Sequence, residues 1–575
     1  MAATTAQPTA GATALADAGG PATRVTASTS GDLASATPRR RPVVAPAAVL
    51  YPDPAVADHA GEPALCFADY DACFHDGNPV ASAQAWLAII AANRLTDVRG
   101  AFALAWIDTA GHLHLARDGI GERTLYYAAT PQGAVYGVSI RAMLATGRIP
   151  RTLNRAAIAA YLSYAYLPGS ETLVANLYEV LPGEHVTISP RGDITRRQFW
   201  TLHPSSRPTG SEPALTAELR SCLEAAVRRR LPQAGENVAA FLSGGLDSSL
   251  VVALARQLHD GPLDTYSVFF GDGYANELAF SSLVAAHCGT NHTILELTPP
   301  AVLRYLDETI ALLSDPIGDP LTVPNALLFR QASARSGIVL NGEGSDPCFG
   351  GPKNLPMVLA QLYSHLEAKP SQAASFLRAH LKCYDDLPEM LTPHPRDALA
   401  AAPLETAIAP LLDDPVWPDF VARLQALNIN LKGAHHILPK VNALSAPFGI
   451  LPRSPLFDRD IVELAMRIPS HLKLQGSSEK FILKQAVHDL LPAAIIERPK
   501  SGMLVPVEAW FQGPLLPAAR ERLLDGLAPY DLIERPYLEK LLAGQLGGLR
   551  PRHGAKIWLL VTLEAWLRAH LPALA

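Results

Sequence analysis

Apolar and polar positions in the second half of the chain alternate between two periods. Short apolar runs at residues 237–242, 263–270, 292–297 and 338–340 are typical of buried parallel strands. Between them, stretches such as 249–258 repeat apolar residues at helical spacing. Strands that alternate with helices predict a doubly wound parallel sheet, which binds ligands at the carboxyl ends of its strands. The part of the chain after this sheet is predicted to be helical.

The first half shows a different pattern. Residues 101–108 and 113–118 indicate two strands around a turn at 109–111, and further strands fit 136–139 and 184–188. Residues 1–44 are poor in aromatic residues and rich in Ala, Thr, Gly and Pro, which predicts a disordered tail. A Pro/Ser/Gly-rich stretch at 201–213 indicates a linker. We therefore expect two domains, at 45–200 and 214–575.

Composition narrows the class of protein. Of the 575 residues 49 % are hydrophobic and 18 % charged, which is enough apolar material for a large core. A net charge of −6 argues against a nucleic-acid partner, and no apolar stretch is long enough to predict a membrane span. The six cysteines form no CxxC pair, so neither a zinc site nor a disulfide framework is indicated. A reducing cytoplasm fits this pattern, and the N-terminal residues do not resemble a signal peptide.

A glycine-rich turn follows the first buried strand of the second domain. It contains Ser243, Gly244, Gly245, Asp247 and Ser248 and leads directly into a helix. Free N–H groups and the helix dipole at such a turn favour a phosphate or pyrophosphate, to which the serine hydroxyls add donors. An aspartate in an anion site indicates a bound cation, and Mg²⁺ on a nucleotide triphosphate is the natural choice. The alternative is an ordinary helix N-cap with a glycine turn.

A second loop of similar character follows the short strand at 338–340. It contains Gly342, Glu343, Gly344, Ser345 and Asp346, so two carboxylates lie three residues apart. Taken alone, the loop also fits a surface turn rich in Gly, Ser and Asp. Because both loops follow parallel strands, we expect them to share one site.

The two loops resemble the nucleotide loops of asparagine synthetases, which belong to the ATP pyrophosphatases. Residues 100–108 and 116–127 resemble the N-terminal amidotransferase domain of the same enzymes, and 498–502 a later family string. The resemblance implies an Ntn-type α+β sandwich followed by a HUP-like ATP-pyrophosphatase domain with a helical C-terminal part. It also implies an ATP-dependent, AMP-forming carbon–nitrogen ligase whose default reaction makes asparagine from aspartate.

By this resemblance Asp247 and Asp346 hold Mg²⁺, and Glu343 takes a proton from the attacking nitrogen. Lys500 supports the charge that develops on phosphate. The nucleotide contacts implied are Ser243, Gly244, Gly245, Asp247, Ser248, Val268, Gly342, Gly344 and Ser345. The implied partners are a small-molecule carboxylate and a nitrogen donor, and a homodimer stays open.

Departures from the family pattern affect the expected substrates. The family's glutaminase nucleophile is an N-terminal cysteine, whereas position 2 is Ala and the first cysteine is Cys66, so we expect ammonia or an amine as nitrogen source. Asn442 and Leu451 replace two acidic residues of the family's aspartate pocket. Two alternatives stay open. One is a lasso-peptide macrolactam cyclase or another amide synthetase of specialised metabolism. Glu343 disfavours the cyclase, because cyclases usually have glycine there and β-lactam synthetases have tyrosine. The other is a non-catalytic pseudo-enzyme, which the intact Asp247, Asp346 and Lys500 disfavour.

Overall fold

The computed structural model describes residues 22–26, 48–51, 63–131, 133–204, 210–351, 371–380, 382–476, 478–498, 503–548 and 551–573. In chain order the strands are β1 (Thr23–Thr26), β2 (Ala48–Tyr51), β3 (Ala64–His75), β4 (Asn78–Pro79), β5 (Arg99–Ile107), β6 (Leu113–Arg117), β7 (Tyr126–Thr130), β8 (Gly133–Gly137), β9 (Tyr178–Glu179), β10 (Glu184–Ile188), β11 (Ile194–Gln198), β12 (Val238–Phe241), β13 (Leu263–Phe269), β14 (Asn291–Glu296), β15 (Ile338–Leu340), β16 (Leu451–Arg453), β17 (Leu474–Gln475) and β18 (Ser478–Glu479).

The α-helices of the described residues are α1 (Ala83–Ala91), α2 (Ile140–Ala145), α3 (Ile158–Tyr164), α4 (Glu212–Arg230), α5 (Leu246–Leu258), α6 (Leu278–Cys288), α7 (Pro299–Ile310), α8 (Thr322–Ser333), α9 (Ser345–Phe349), α10 (Gln372–Ala379), α11 (Leu387–Met390), α12 (Pro393–Ala401), α13 (Ala409–Leu412), α14 (Phe420–Leu427), α15 (Leu438–Ser445), α16 (Arg459–Arg467), α17 (Ser470–Lys473), α18 (Phe481–Ala486), α19 (Ala493–Ile496), α20 (Val507–Gln512), α21 (Leu516–Glu521), α22 (Arg535–Leu542) and α23 (His553–His570). Within this described part, no helix combines the length and the apolar character that crossing a bilayer requires.

The N-terminal half forms a sandwich of two antiparallel sheets. Their strand orders are β11-β10-β6-β5-β3-β4 and β2-β8-β7-β9. Side chains alternate between the two faces of β5. Ala103 and Ala105 belong to the core between the sheets, whereas Phe102 and Leu104 pack with Trp86 of α1. The predicted hairpin is confirmed: β5 and β6 pair antiparallel, with Ile107 opposite Leu113 next to the turn. The predicted α+β sandwich is confirmed as well.

The second half is built on one parallel sheet of order β1-β14-β13-β12-β15-β16. From β12 the chain runs outward through α5 to β13 and through α6 to β14. It then returns to β15 on the other side of β12. The strand order therefore reverses between β12 and β15, which is where doubly wound sheets bind ligands. The predicted parallel sheet is confirmed. The edge strand β16 was not predicted, because its three residues carry no strand pattern.

Strand β1 corrects one prediction. Thr23–Thr26 lies in the stretch expected to be a disordered tail, yet it pairs in parallel with β14 at the sheet edge. The guanidinium of Arg24 lies 4.7 Å from the ring centroid of Phe269 on β13, which adds a cation–π contact. Most of the other residues of the predicted tail lie outside the described residues.

Buried ion pairs join the sandwich to the second half. Arg453 of β16 donates to both oxygens of Asp71 on β3, each at 2.8 Å. Arg230, at the end of α4, pairs with Glu122 at 2.9 Å and also with Asp458. Because removing one member of a buried pair leaves an uncompensated charge, these contacts fix the position of one domain against the other.

Candidate active site

The first glycine-rich loop connects β12 to α5 and is held by its own serines. The hydroxyl of Ser248 accepts from the N–H of Ser243 at 3.1 Å, and the hydroxyl of Ser243 accepts from the N–H of Gly245 at 3.2 Å. Gly244 has φ +80°, and a Cβ there would lie 2.5 Å from the backbone nitrogen of Ser281. Only glycine tolerates both this conformation and this approach.

The second loop connects β15 to the short helix α9 and touches the first. The side chain of Asn341 accepts from the N–H of Glu343 at 3.1 Å, which fixes the turn. A Cβ on Gly342 would lie 2.5 Å from the backbone nitrogen of Ser248, so a larger residue would force the two loops apart. Gly344 precedes α9, and Ser345 and Asp346 lie in its first turn, with Ser345 fully buried.

A lysine lies between the two predicted metal ligands. The Nζ atom of Lys480 is 2.7 Å from both carboxylate oxygens of Asp247 and also forms an ion pair with Asp346. Two carboxylates from different loops thus reach a single point. This donor set fits a hard divalent cation, with ATP phosphates and water completing its coordination. Among the described residues, however, no group of three or more His, Cys, Asp or Glu side chains is arranged to hold a metal by itself.

Glu343 lies beside a second charged cluster. The ammonium of Lys440 on α15 is 2.5 Å from Asp319, and His436 is 3.6 Å from the same carboxylate. Burial raises the pKa of Glu343, partly offset by Lys440 and Lys432. Burial also opposes ionisation of Asp319, but Lys440 and His436 hold its pKa well below the usual range. The cluster thus contains a firmly ionised carboxylate and, in Glu343, a carboxylate that accepts protons more readily than usual.

His435 and His436 lie on a π-helix, Asn428–Ile437, that joins α14 to α15. The ring of His436 stacks on that of Tyr166, with centroids 5.4 Å apart and planes 3° from parallel. His435 faces the other way and bonds to Glu179 of the sandwich at 2.8 Å. Both histidines therefore make specific contacts, His435 with the sandwich and His436 with the Asp319 cluster. π-Helical segments often occur at functional sites.

Arg498 connects the first loop to the start of α6. It donates to the carbonyl of Gly244 at 3.1 Å and forms an ion pair with Glu277. Its guanidinium lies 3.8 Å from the ring centroid of Phe280. Lys500, two positions later and predicted to support charge on phosphate, lies outside the described residues.

The structure thus brings together most of the residues named from the sequence. Both loops meet at the switch point of the sheet, and Glu343 is close to Asp319 and Lys440. Val268 is buried near the carboxyl end of β13 and paired with Leu295, and its neighbour Ser267 bonds to the carbonyl of Leu242 just before the first loop. The sequence motifs gave Lys480 no role. No local signal could have done so, because Lys480 is 233 residues from Asp247.

Asn442 and Leu451, the two departures from the family pattern, both lie outside the Glu343 cluster. The side chain of Asn442 accepts from Arg123 at 2.9 Å and donates to the carbonyl of Glu122 at 2.6 Å, so it bonds to the sandwich. Leu451 is the first residue of the edge strand β16.

A parallel sheet with two glycine loops at its switch point, attached to an antiparallel sandwich, defines the class of ATP-dependent amide ligases with an amidotransferase-type domain. The chain belongs to the asparagine synthase family. The family model described as asparagine synthase matches residues 218–568, and the model described as glutamine amidotransferase domain matches residues 85–200. The protein is accordingly an ATP-using ligase, and its family uses a carboxylate substrate with glutamine or ammonia.

The named relatives have low sequence identity to this chain but match it over most of its length. The chain is 25 % identical over 499 residues to asparagine synthetase [glutamine-hydrolyzing] 1 of Bacillus subtilis, covering 82 % of this chain and 78 % of that protein. It is 24 % identical over 504 residues to a putative asparagine synthetase of Mycobacterium tuberculosis, covering 82 % and 77 %. It is also 24 % identical over 507 residues to amidase chyE of Penicillium rubens, covering 73 % and 72 %.

Among solved structures, the glutamine-dependent NAD+ synthetase of Acinetobacter baumannii in complex with ADP overlaps with a TM-score of 0.19 at 14 % identity, covering 41 % of this chain and 54 % of that one.

Proposed function

We propose that this protein activates a carboxylate as an acyl-adenylate and transfers the acyl group to a nitrogen nucleophile. The observation that carries the proposal is the convergence of Asp247 and Asp346 on one point between the two loops. Oxygen from the substrate carboxylate attacks the α-phosphorus of ATP, and the bond to the bridging oxygen breaks, which releases pyrophosphate. The nitrogen then attacks the acyl carbon, and AMP leaves with the oxygen it gained.

Residues of the first loop are assigned to the phosphates. The N–H groups around Gly244 and Gly245 and the hydroxyls of Ser243 and Ser248 would bind the pyrophosphate, because free donors at a helix N-terminus favour anions. Val268, Gly342, Gly344 and Ser345 remain the other proposed nucleotide contacts. Arg498 would hold this loop in shape through its bond to Gly244.

Four charged residues are assigned to the charge at the phosphates. Asp247 and Asp346 would hold Mg²⁺, which neutralises phosphate charge when it is bound there. Lys480 already balances both carboxylates and would stay beside the phosphates. Lys500 keeps its proposed role as a donor to the charge that develops during adenylation.

Glu343 would act in the second half-reaction. The attacking nitrogen must lose a proton, and a carboxylate whose pKa is raised by burial is a better acceptor than an exposed one. Lys440, beside Asp319 at 2.5 Å, would offer a fixed positive charge to the carboxylate substrate. Aspartate, the substrate of the default family reaction, is the first acid to test.

Exchange of labelled pyrophosphate into ATP tests the first half-reaction without any nitrogen donor. Aspartate and a panel of other small acids are each offered with Mg·ATP. At least one acid should drive exchange in the wild type, and Asp346→Asn should abolish it. Asp525→Asn, at an exposed site, is the matched control and should leave exchange unchanged. If acids instead stimulate release of ADP and phosphate, activation does not proceed through an adenylate and the proposal is wrong.

A further inference from the structure

A cavity of about 260 Å³ lies between the sandwich and the helical part of the second half. It is separate from the loop site, because its walls contain none of the loop residues. Since one water occupies about 30 Å³ of liquid volume, the cavity has room for a small organic molecule. Its lining includes Asp69, Arg123, Leu167, Glu179, Asp315 and Ala443.

This cavity shares a wall with the Glu343 cluster. Leu167, His435 and Pro439 line the cavity, whereas their chain neighbours Tyr166, His436 and Lys440 belong to the cluster around Asp319. Neighbouring residues thus face the cavity on one side and the cluster on the other. A molecule in the cavity would lie next to the proposed acyl-transfer site and would enter it by passing between these residues.

Two of the three carboxyl groups that line the cavity have cationic partners. Asp69 pairs with Arg123 at 3.3 Å. Glu179 pairs with Arg117 at 2.5 Å and with His435 at 2.8 Å.

Asp315 is different. It accepts from the backbone N–H of Leu173 at 2.9 Å, but within the described residues no Lys, Arg or His forms an ion pair with it. A buried carboxyl without a cation is costly to ionise, so a ligand that brings a positive charge would be favoured there.

We infer that the cavity binds a small organic amine as its ammonium ion, with Asp315 as its counter-ion, and that this amine is the nitrogen donor for amide formation. The inference rests on the proposed function and specifies the donor that it left open. The nitrogen–acyl carbon bond forms, the bond from that carbon to the AMP oxygen breaks, and AMP leaves. Of the two ammonium protons that the nitrogen must lose, one passes to the Asp315 carboxylate before the amine enters the acyl-transfer site, and the other passes to Glu343 during the attack.

Amine binding should release a proton from the protein. Burial raises the pKa of Asp315 to about 8, with Glu179 adding to the effect, so the carboxyl is mostly protonated at pH 7. An ammonium ion that pairs with it would favour the carboxylate, which releases up to ~0.9 proton at pH 7. The other charged or titratable groups lining the cavity are Asp69, Arg123, Tyr126, Arg141, Glu179 and His435.

Binding is measured on the full chain without ATP, by calorimetry at pH 7 in two buffers of different ionisation enthalpy. Propylamine is the probe, and 1-propanol and propionate are its neutral and anionic isosteres. Only propylamine should bind, with the expected proton release. Asp315→Asn keeps the acceptor for Leu173 and should weaken binding ~10–100-fold, as expected for a lost charge-assisted hydrogen bond. Asp525→Asn should bind as the wild type does.

A second variant tests the space rather than the charge. Ala443→Leu places a larger side chain into the cavity wall and should also prevent propylamine binding. If propylamine binds no better than propanol, or if both variants bind it normally, the cavity is not an amine site and holds only water.

Kinetics then test the role of the bound amine. With an acid that drives pyrophosphate exchange, Asp315→Asn should raise the KM for the amine ~10–100-fold while exchange without amine stays unchanged. An unchanged KM would overturn the donor role even if the amine binds. If no acid drives pyrophosphate exchange, the result counts against the proposed function. The calorimetry would still show whether the cavity binds an amine.

Discussion

Replacing Lys480 by methionine removes an ammonium from between two carboxylates. The Lys480 side chain is 3 % exposed and that of Asp247 is 11 % exposed, so this pair is largely desolvated. Removing one partner of a buried pair costs ~3–5 kcal/mol, because the other charge stays buried without compensation. Asp346 is 39 % exposed, so water screens its share of the interaction. We therefore expect Lys480→Met to lower the free energy of unfolding by about 3 kcal/mol, near the lower end of that range.

Urea unfolding in the presence of EDTA measures this loss, with Lys540→Met on the exposed face of α22 as the matched control. Adding MgCl2 should then stabilise Lys480→Met more than the wild type, because the cation would supply the positive charge that the Lys480 ammonium no longer provides, and a ligand stabilises the state that binds it.

Two results would refute the reasoning. A Lys480→Met variant within ~0.5 kcal/mol of the wild type in EDTA would behave as a surface substitution, and Lys480 would not be what neutralises the carboxylates. Equal stabilisation of both proteins by MgCl2 would mean that Asp247 and Asp346 do not hold the metal.

Three further predictions concern separate parts of the molecule. Glu343→Gln should retain pyrophosphate exchange but lower amide formation ~10²–10⁴-fold. Because burial raises the pKa of Glu343, the rate of amide formation by the wild type should rise as pH rises through that pKa, and the Glu343→Gln variant should not show this rise. Loss of pyrophosphate exchange in the variant would contradict the assignment of Glu343 to the second half-reaction. Arg453→Met should cost ~3–5 kcal/mol in urea unfolding by leaving Asp71 buried and unpaired, and adding Asp71→Asn should recover part of it. Burial opposes ionisation of Asp71, but Arg453 lowers its pKa, so this stability should be present above about pH 4 and be lost as pH falls through the lowered pKa. Glutamate release from glutamine should stay at background. Cys73 is buried and the pKa of its thiol is raised well above the usual value, and the thiol of Cys66 donates to the carbonyl of Ala64 within β3. Glutamine turnover above background would contradict this prediction.

Strongly patterned segments could be predicted from the sequence. The apolar run before the first loop became β12, and residues 338–340 became β15 with the same bounds, because strands buried on both faces need continuous apolar residues. The loop residues could be named because glycine and carboxylate spacing reflects local backbone and ligand chemistry. Local patterns also located the hairpin of β5 and β6.

Long-range pairing could not be predicted in this way. Lys480 meets Asp247 only through the folding of the helical C-terminal part, and Asn442 meets Arg123 across the domain interface. Strand β1 is four residues of threonine, arginine and valine in a low-complexity stretch. Its structure depends on the exposed edge of β14, which a local pattern does not contain.

Strand β1 means that the sandwich is tethered to the parallel sheet at both of its ends. The chain leaves the sheet edge at Thr26, passes through the sandwich and returns to the second half at α4. If the interface opens, its reclosure is intramolecular, at an effective concentration on the order of mM. A truncated chain that starts at α4 would also lose the strand that covers β14. The uncovered N–H and C=O groups of that edge would then be open to pairing with a second molecule, a common route to aggregation.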